Sequence, residues 1–106
     1  MRQRQPRMTN PKYLAWLRTQ RCACGCLRGP PCDAAHIRSG SGFHKKRHVG
    51  IGEKPDDMWA VPLTHACHME QHAFGNEVNW WIDVKLKDPF LEAINHYRRF
   101  KQEQKK

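Results

Sequence analysis

Apolar positions along the chain switch between a helical and a strand spacing, and each switch marks an element. Tyr13, Leu14, Trp16 and Leu17 form an amphipathic stripe that predicts a short helix from Pro11 to about Thr19. Pro11 stands at the first helical position, where its missing N–H removes no hydrogen bond. Residues 1–10 carry no apolar period and are expected to be mobile in isolation. From Arg21 to Asp33 the chain is cysteine, glycine and Pro30-Pro31, a composition that cannot sustain a regular element without an outside staple. Ala34 to Arg38 and Trp59 to Leu63 have strand length, Pro62 confining the second to an edge or a strand end. The long connection between them, Ser39 to Asp57, is the kind more often functional than incidental in so small a domain. Helical spacing returns from Ala66 to about Phe74, ended near Gly75. It resumes behind Asn76 with Val78, Trp80, Trp81, Ile82 and Val84, and again from Asp88-Pro89 to about Phe100. The fold class read from this order is α+β.

Length allows one domain: at 106 residues only a single modest core can form, and 39% hydrophobic residues with a mean hydropathy of -0.88 keep it small. Trp16, Trp59, Trp80 and Trp81 are expected to supply much of its buried area. A core of this size usually needs a staple. The five cysteines are an odd number, three of them in a Cys-x-Cys-x-Cys run, and no segment reads as a signal peptide or membrane span. These features favour a reducing, cytoplasmic setting, in which clustered cysteines read as metal ligands rather than disulfides. Cys67 with Cys32 and two of Cys22, Cys24 and Cys26 would make a tetrahedral structural zinc site; Cys22 and Cys26 are the better separated pair, with Cys24 the alternative to Cys26.

The net charge of +9 sits mainly at the ends: residues 1–12 and 98–106 contribute +4 each, leaving +1 for the body. The chain therefore divides into a basic N-terminal tail (1–12), a domain (13–97) and a basic C-terminal tail (98–106). Such tails point to a polyanion held through its phosphates, with Arg98 and Arg99 as contacts. Lys45, Lys46 and Arg47, between His44 and His48 in the long loop, form a candidate backbone clamp.

The strongest local signal for chemistry is Cys67-His68-Met-Glu-Gln-His72. Imidazoles four residues apart on a helix stand on one face, a turn apart, as two ligands of one zinc ion must. The metalloprotease pattern is absent, because Glu70 follows His68 by two residues and points away from the shared face.

The setting of the pair carries a resemblance. Asp33-Ala-Ala-His36-Ile-Arg38, then Gly50-Ile-Gly-Glu-Lys-Pro-Asp-Asp57, then Val61-Pro-Leu63, then Cys67-His68-x-x-x-His72 give the order strand, loop, strand, helix. Over about Tyr13 to Val84 this resembles the HNH, or His-Me finger, endonucleases, and within them the small phage and prophage proteins of the recombination-enhancement (Ref-type) group. The resemblance implies a ββα-metal core, here with an N-terminal helix, a cysteine-rich zinc-stabilised loop and additional C-terminal helices. It implies a metal-dependent DNA endonuclease of phage or prophage origin, active in DNA recombination or processing, with a recombinase or other phage or host DNA-processing protein as a partner.

Carried over by position, His36 would take the proton from the attacking water while a divalent metal on His68 and His72 offsets charge on the scissile phosphate. Asp57 or Asp56 stands where the family has an Asn and would orient His36, and Arg38 would meet the phosphate. One position departs from the family: the residue before the base, commonly a further metal ligand, is Ala35. A third ligand would come from Asp33, which shares strand parity with Ala35, or from His65, or from water and substrate. Two imidazoles favour zinc, and a site completed by oxygens suits magnesium or manganese. The competing reading is a zinc-stabilised nucleic-acid-binding accessory protein without turnover, which has no need of an unliganded His36 facing the metal.

Overall fold

The computed structural model describes residues 8–26, 28–44, 46 and 55–104. Its helix α1 (Pro11–Arg18) starts where Asn10 caps it, the side-chain oxygen accepting from the Tyr13 N–H at 3.1 Å. Strand β1 (Asp33–His36) pairs antiparallel with β2 (Ala60–Leu63), in the register Asp33–Leu63, Ala34–Pro62, Ala35–Val61, His36–Ala60. Both strands are shorter than their sequence patterns suggest. Residues 57–59 are a 3-10 turn leading into β2, and Ile37 extends the pairing with one bond to the Trp59 carbonyl at 3.0 Å. Helix α2 (His65–Phe74) is capped by the Thr64 hydroxyl and stopped by Gly75, whose φ of 98° a side chain would strain.

After Asn76, which accepts from the Asn79 N–H, a short α3 (Glu77–Asn79) runs into a π-helical turn, Trp80–Val84. The wider turn lets adjacent Trp80 and Trp81 both enter the core, 0% and 1% exposed, where a regular helix would separate them by about 100°. Helix α4 (Pro89–Gln104) is capped by Asp88, which accepts from the Phe90 and Leu91 N–H groups.

The two-stranded sheet lies between two apolar clusters. Ala35, Ile37, Val61 and Leu63 face the larger one, with four cysteines, Trp59, Trp80, Trp81 and Phe90. Ala34 and Ala60 face the smaller one, built from Tyr13, Leu17 and Phe100. Every residue of β2 is buried, which explains why its sequence reads as an unbroken apolar run instead of an alternating one. Pro62 fits because β2 pairs on one side only; its free carbonyl accepts from the Ala23 N–H at 2.7 Å, latching the cysteine loop to the sheet.

Residues 8–12 and 98–104 are held more closely to the fold than their charge suggested. The backbone of Met8 and Asn10 donates to the Asp56 and Asp57 carboxylates, at 2.9 and 2.7 Å, so residues 8–12 belong to the domain. Helix α4 carries Arg98, Arg99 and Lys101 on regular turns, because Phe100 is buried against Tyr13 and Trp16 and holds them there. The expectation of mobility for residues 1–7 lies outside the described residues. Among the described residues no helix is long and apolar enough to cross a membrane.

Helix α1 is bound to the sheet by the buried Tyr13, whose hydroxyl donates to the Ala60 carbonyl at 3.0 Å. Tyr13→Phe is expected to destabilise the fold by about 1–3 kcal/mol, since it strands a buried acceptor. Urea unfolding of the zinc-loaded protein checks this, and wild-type stability would show that water replaces the hydroxyl.

Candidate functional site

Three groups of chemically capable side chains converge on β1 and the start of α2. The first is sulfur. Cys22, Cys24, Cys26 and Cys67 bring their Sγ atoms within 4.8 Å of one another, and among the described residues they are the one group of three or more metal-competent side chains so placed. Thiolates about 2.3 Å from a common zinc ion stand about 3.8 Å apart. The Cys22–Cys24, Cys24–Cys67 and Cys67–Cys26 sulfurs are 3.3, 3.5 and 3.7 Å apart, so the donor set and its spacing fit zinc.

The cluster takes Cys24 and Cys26 together and leaves out Cys32, which the sequence reading had included. Gly25, at φ 86°, turns the loop back on itself so that three alternate cysteines converge, a conformation the spacing of the cysteines did not disclose. Cys32 is held elsewhere, its N–H on the Arg18 carbonyl at 3.0 Å and its thiol on the Gln20 carbonyl at 3.2 Å. Burial, with nearby Cys22, pushes the Cys32 thiol up to about 11, that of a buried residue with no call for a thiolate. Cys26 goes the other way. Burial would raise it, but the Arg28 N–H and the thiols of Cys22, Cys24 and Cys67 bring it down to about 7.

The second group is Asp33 with the α2 imidazoles. Asp33 Oδ2 accepts from His65 Nδ1 at 2.9 Å and from His68 Nδ1 at 3.0 Å. Burial opposes its charge, but the two histidines outweigh it and hold the carboxyl below its ordinary range. With Nδ1 committed, His68 presents Nε2, which lies 3.2 Å from Nε2 of His72. Two imidazole nitrogens on one zinc ion stand about 3.3 Å apart, so the pair fits a shared cation. Asp33 Oδ2 thus lies on the Nδ1 side of His68, away from the Nε2 pair, and His65 turns to the same oxygen.

The third group is His36 with Asp57. His36 Nε2 lies 2.8 Å from Oδ1 of Asp57, a residue only 2% exposed whose Oδ2 accepts from the Asn10 N–H. An acceptor on Nε2 leaves Nδ1 with the lone pair of a neutral ring. Asp56 is taken up by the Met8 N–H, which resolves the choice between the two aspartates in favour of Asp57.

The structure does not join all three groups. The register sets His36 on the face of Ala60 and Asp33 on the face of Leu63, and among the described residues no hydrogen bond, ion pair or ring contact links His36 to His68 or His72. Arg38 is exposed just past β1, where its backbone N–H and that of Ser39 donate to Glu77, a carboxylate the sequence reading missed and whose capping position offered no hint of this use. Lys46 does not fit an exposed clamp: it is 6% exposed, with its ammonium 5.9 Å from the Trp59 ring centre. Lys45 and Arg47 lie outside the described residues.

Zinc is expected to bind the four converging thiolates, and two variants separate this set from the one that includes Cys32. Cys24→Ser should lose tightly held zinc and much of the stability, whereas Cys32→Ser should keep a full complement. Metal content after dialysis, read alongside thermal unfolding, measures both; zinc lost from Cys32→Ser but kept by Cys24→Ser would reverse the assignment.

Residues 1–83 match the family described as "Protein of unknown function (DUF968)". A curated relative, the uncharacterized protein YdfU of Escherichia coli (strain K12), is 38% identical over 66 residues. The match covers 62% of this chain and 17% of that protein, so the chain spans about a sixth of its relative's length. No solved structure matches it significantly. The matched segment takes in the four-cysteine cluster and both histidine–carboxylate systems, and the chain belongs to the DUF968 family.

Proposed function

We propose that the chain is a metal-dependent DNA endonuclease of the ββα-metal (HNH) type, acting in DNA recombination or processing. The observation that carries this reading is the His36–Asp57 pair: an imidazole at the end of a strand, held at Nε2 by a buried carboxylate 2.8 Å away. Asp57 fixes the ring and its tautomer, so Nδ1 is the atom left to take a proton from water. A nucleic-acid binder has no use for such an arrangement.

The order of β1, β2 and α2 supports the same reading, as do the converging Nε2 atoms of His68 and His72. A divalent cation on that pair would supply charge compensation at the phosphate. Direct contact between base and metal ligands is not required, because a water and a phosphate must fit between them, with the water about 3 Å from the base. Asp33 orients His68, and exposed Arg38, beside His36 in sequence, offers a cation to the substrate.

One observation favours a second reading, a zinc-stabilised nucleic-acid-binding module without turnover. His36 and Asp33 point from opposite faces of β1, and the cysteines satisfy a complete metal site without either.

Nicking of supercoiled plasmid with magnesium, manganese or zinc separates the two. His36→Ala is expected to lower the rate at least about 100-fold with DNA affinity nearly unchanged. Unchanged nicking would remove His36 as the base, and no nicking by the wild type on any DNA form would leave the binding module. Asp33→Asn is expected to weaken metal binding at His68 and His72 by about 10–100-fold while zinc at the cysteines stays bound, as seen by competitive metal titration. Equal affinity in the variant would show that Asp33 only pins α2 to the strand.

A further inference from the structure

Beside the sulfur cluster, and sharing Cys22 with it, the structure holds a cleft of about 380 Å³ whose polar lining is Gln20, Arg21, Lys87, Glu92, His96 and Arg99. Three cations reach it from three segments: Arg21 beyond the end of α1, Lys87 before α4, and Arg99 within α4. Glu92 and the Cys22 sulfur oppose them, two groups against three, so the lining keeps an excess of positive charge. Arg99 is set in place before any ligand arrives. Its Nη2 donates to Gln20 Oε1 at 3.1 Å and its guanidinium lies 5.4 Å from the Trp16 ring centre.

His96 forms the base of the cleft and is 9% exposed. Its Nδ1 lies 2.7 Å from the Glu92 carbonyl, which can only accept, so Nδ1 bears the proton and Nε2 is left over. Among the described residues every fully buried side-chain nitrogen or oxygen has a partner. Nε2 has none among the described residues, so it is not fully sealed in the core. Burial holds the His96 pKa below its ordinary value, with Arg99 and Lys87 acting in the same direction and Glu92 against them.

We propose that this cleft binds one phosphate group, its oxygens shared by Arg99, Lys87 and Arg21, with His96 on the lining as a neighbour and not as a donor. Guanidinium and ammonium groups on a partly enclosed wall suit a compact oxyanion, Arg99 through its fork and Lys87 as a point charge. The phosphate is either a backbone phosphodiester of DNA or a free phosphate compound. In the first case the site deepens the nucleic-acid reading above; in the second it is independent of it. Lys85 is the cation that faces the sulfurs from the other side: burial would discharge its ammonium, but Cys24, Glu70 and Cys67 hold it charged.

The test uses the full zinc-loaded chain and observes the His96 ring by nuclear magnetic resonance while inorganic phosphate, and separately a short DNA duplex, is added. Phosphate is expected to shift the His96 signals saturably, and Lys87→Ala and Arg21→Ala each to weaken that binding several-fold without touching the Arg99–Trp16 packing. If the ligand is DNA, each variant also lowers duplex affinity and reduces its log–log salt slope by about 0.9. A phosphate response with unaltered duplex affinity assigns the cleft to a free phosphate compound. His96 signals unmoved by phosphate overturn the proposal, whatever the duplex does. Failure of the nuclease reading would appear in the nicking rates of His36→Ala and in neither of these measurements.

Discussion

Convergence of four sulfur atoms is the constraint on which the rest of this small structure depends. A loop of cysteine, glycine and proline has no internal means of holding a shape, and the apolar core of so short a chain cannot impose one. Three sulfurs from the loop and one from the first turn of α2 tie the loop to the helix, and the Ala23–Pro62 bond ties it to the sheet. The larger apolar cluster is assembled around these cysteines, with Trp59, Trp80 and Trp81 packed into it. The sulfur cluster and the hydrophobic core are therefore one unit, and neither is expected to persist long without the other.

On that frame, the two end residues of β1 engage three imidazoles. The first residue, Asp33, reaches α2; the last, His36, reaches back to Asp57, which is itself held by the chain entering α1. His36 and His68 each have one ring nitrogen bound by a carboxylate, and the other nitrogen of His68 faces that of His72. This repeated arrangement makes both sites more than chance neighbours of a charged surface, because such side-chain bonds order a ring at an entropic cost that packing alone does not demand.

Much of this was legible in the sequence because it depends on local rules. Pro11, Asn76, Gly75 and Asp88-Pro89 act as helix signals where they stand, and His68 and His72 share a face by helical geometry alone. The pairing of His36 with an aspartate 21 residues away came through the resemblance, not from spacing. What escaped depends on tertiary placement. Cys24 and Cys32 differ in fate because of a positive φ at Gly25 and a carbonyl at Gln20, neither visible in a cysteine count. Lys46 reads as a surface cation until the loop turns it over Trp59, and Arg98 and Arg99 read as a tail until Phe100 is seen to be buried.

Cys67 and His68 are consecutive residues at the start of α2, one turned to the sulfurs and the other to Asp33. A single turn of helix thus couples the sulfur cluster to the histidine face. Whatever disturbs the sulfurs, oxidation of a thiol or a softer metal in place of zinc, would also shift His68 and His72, without reacting with either.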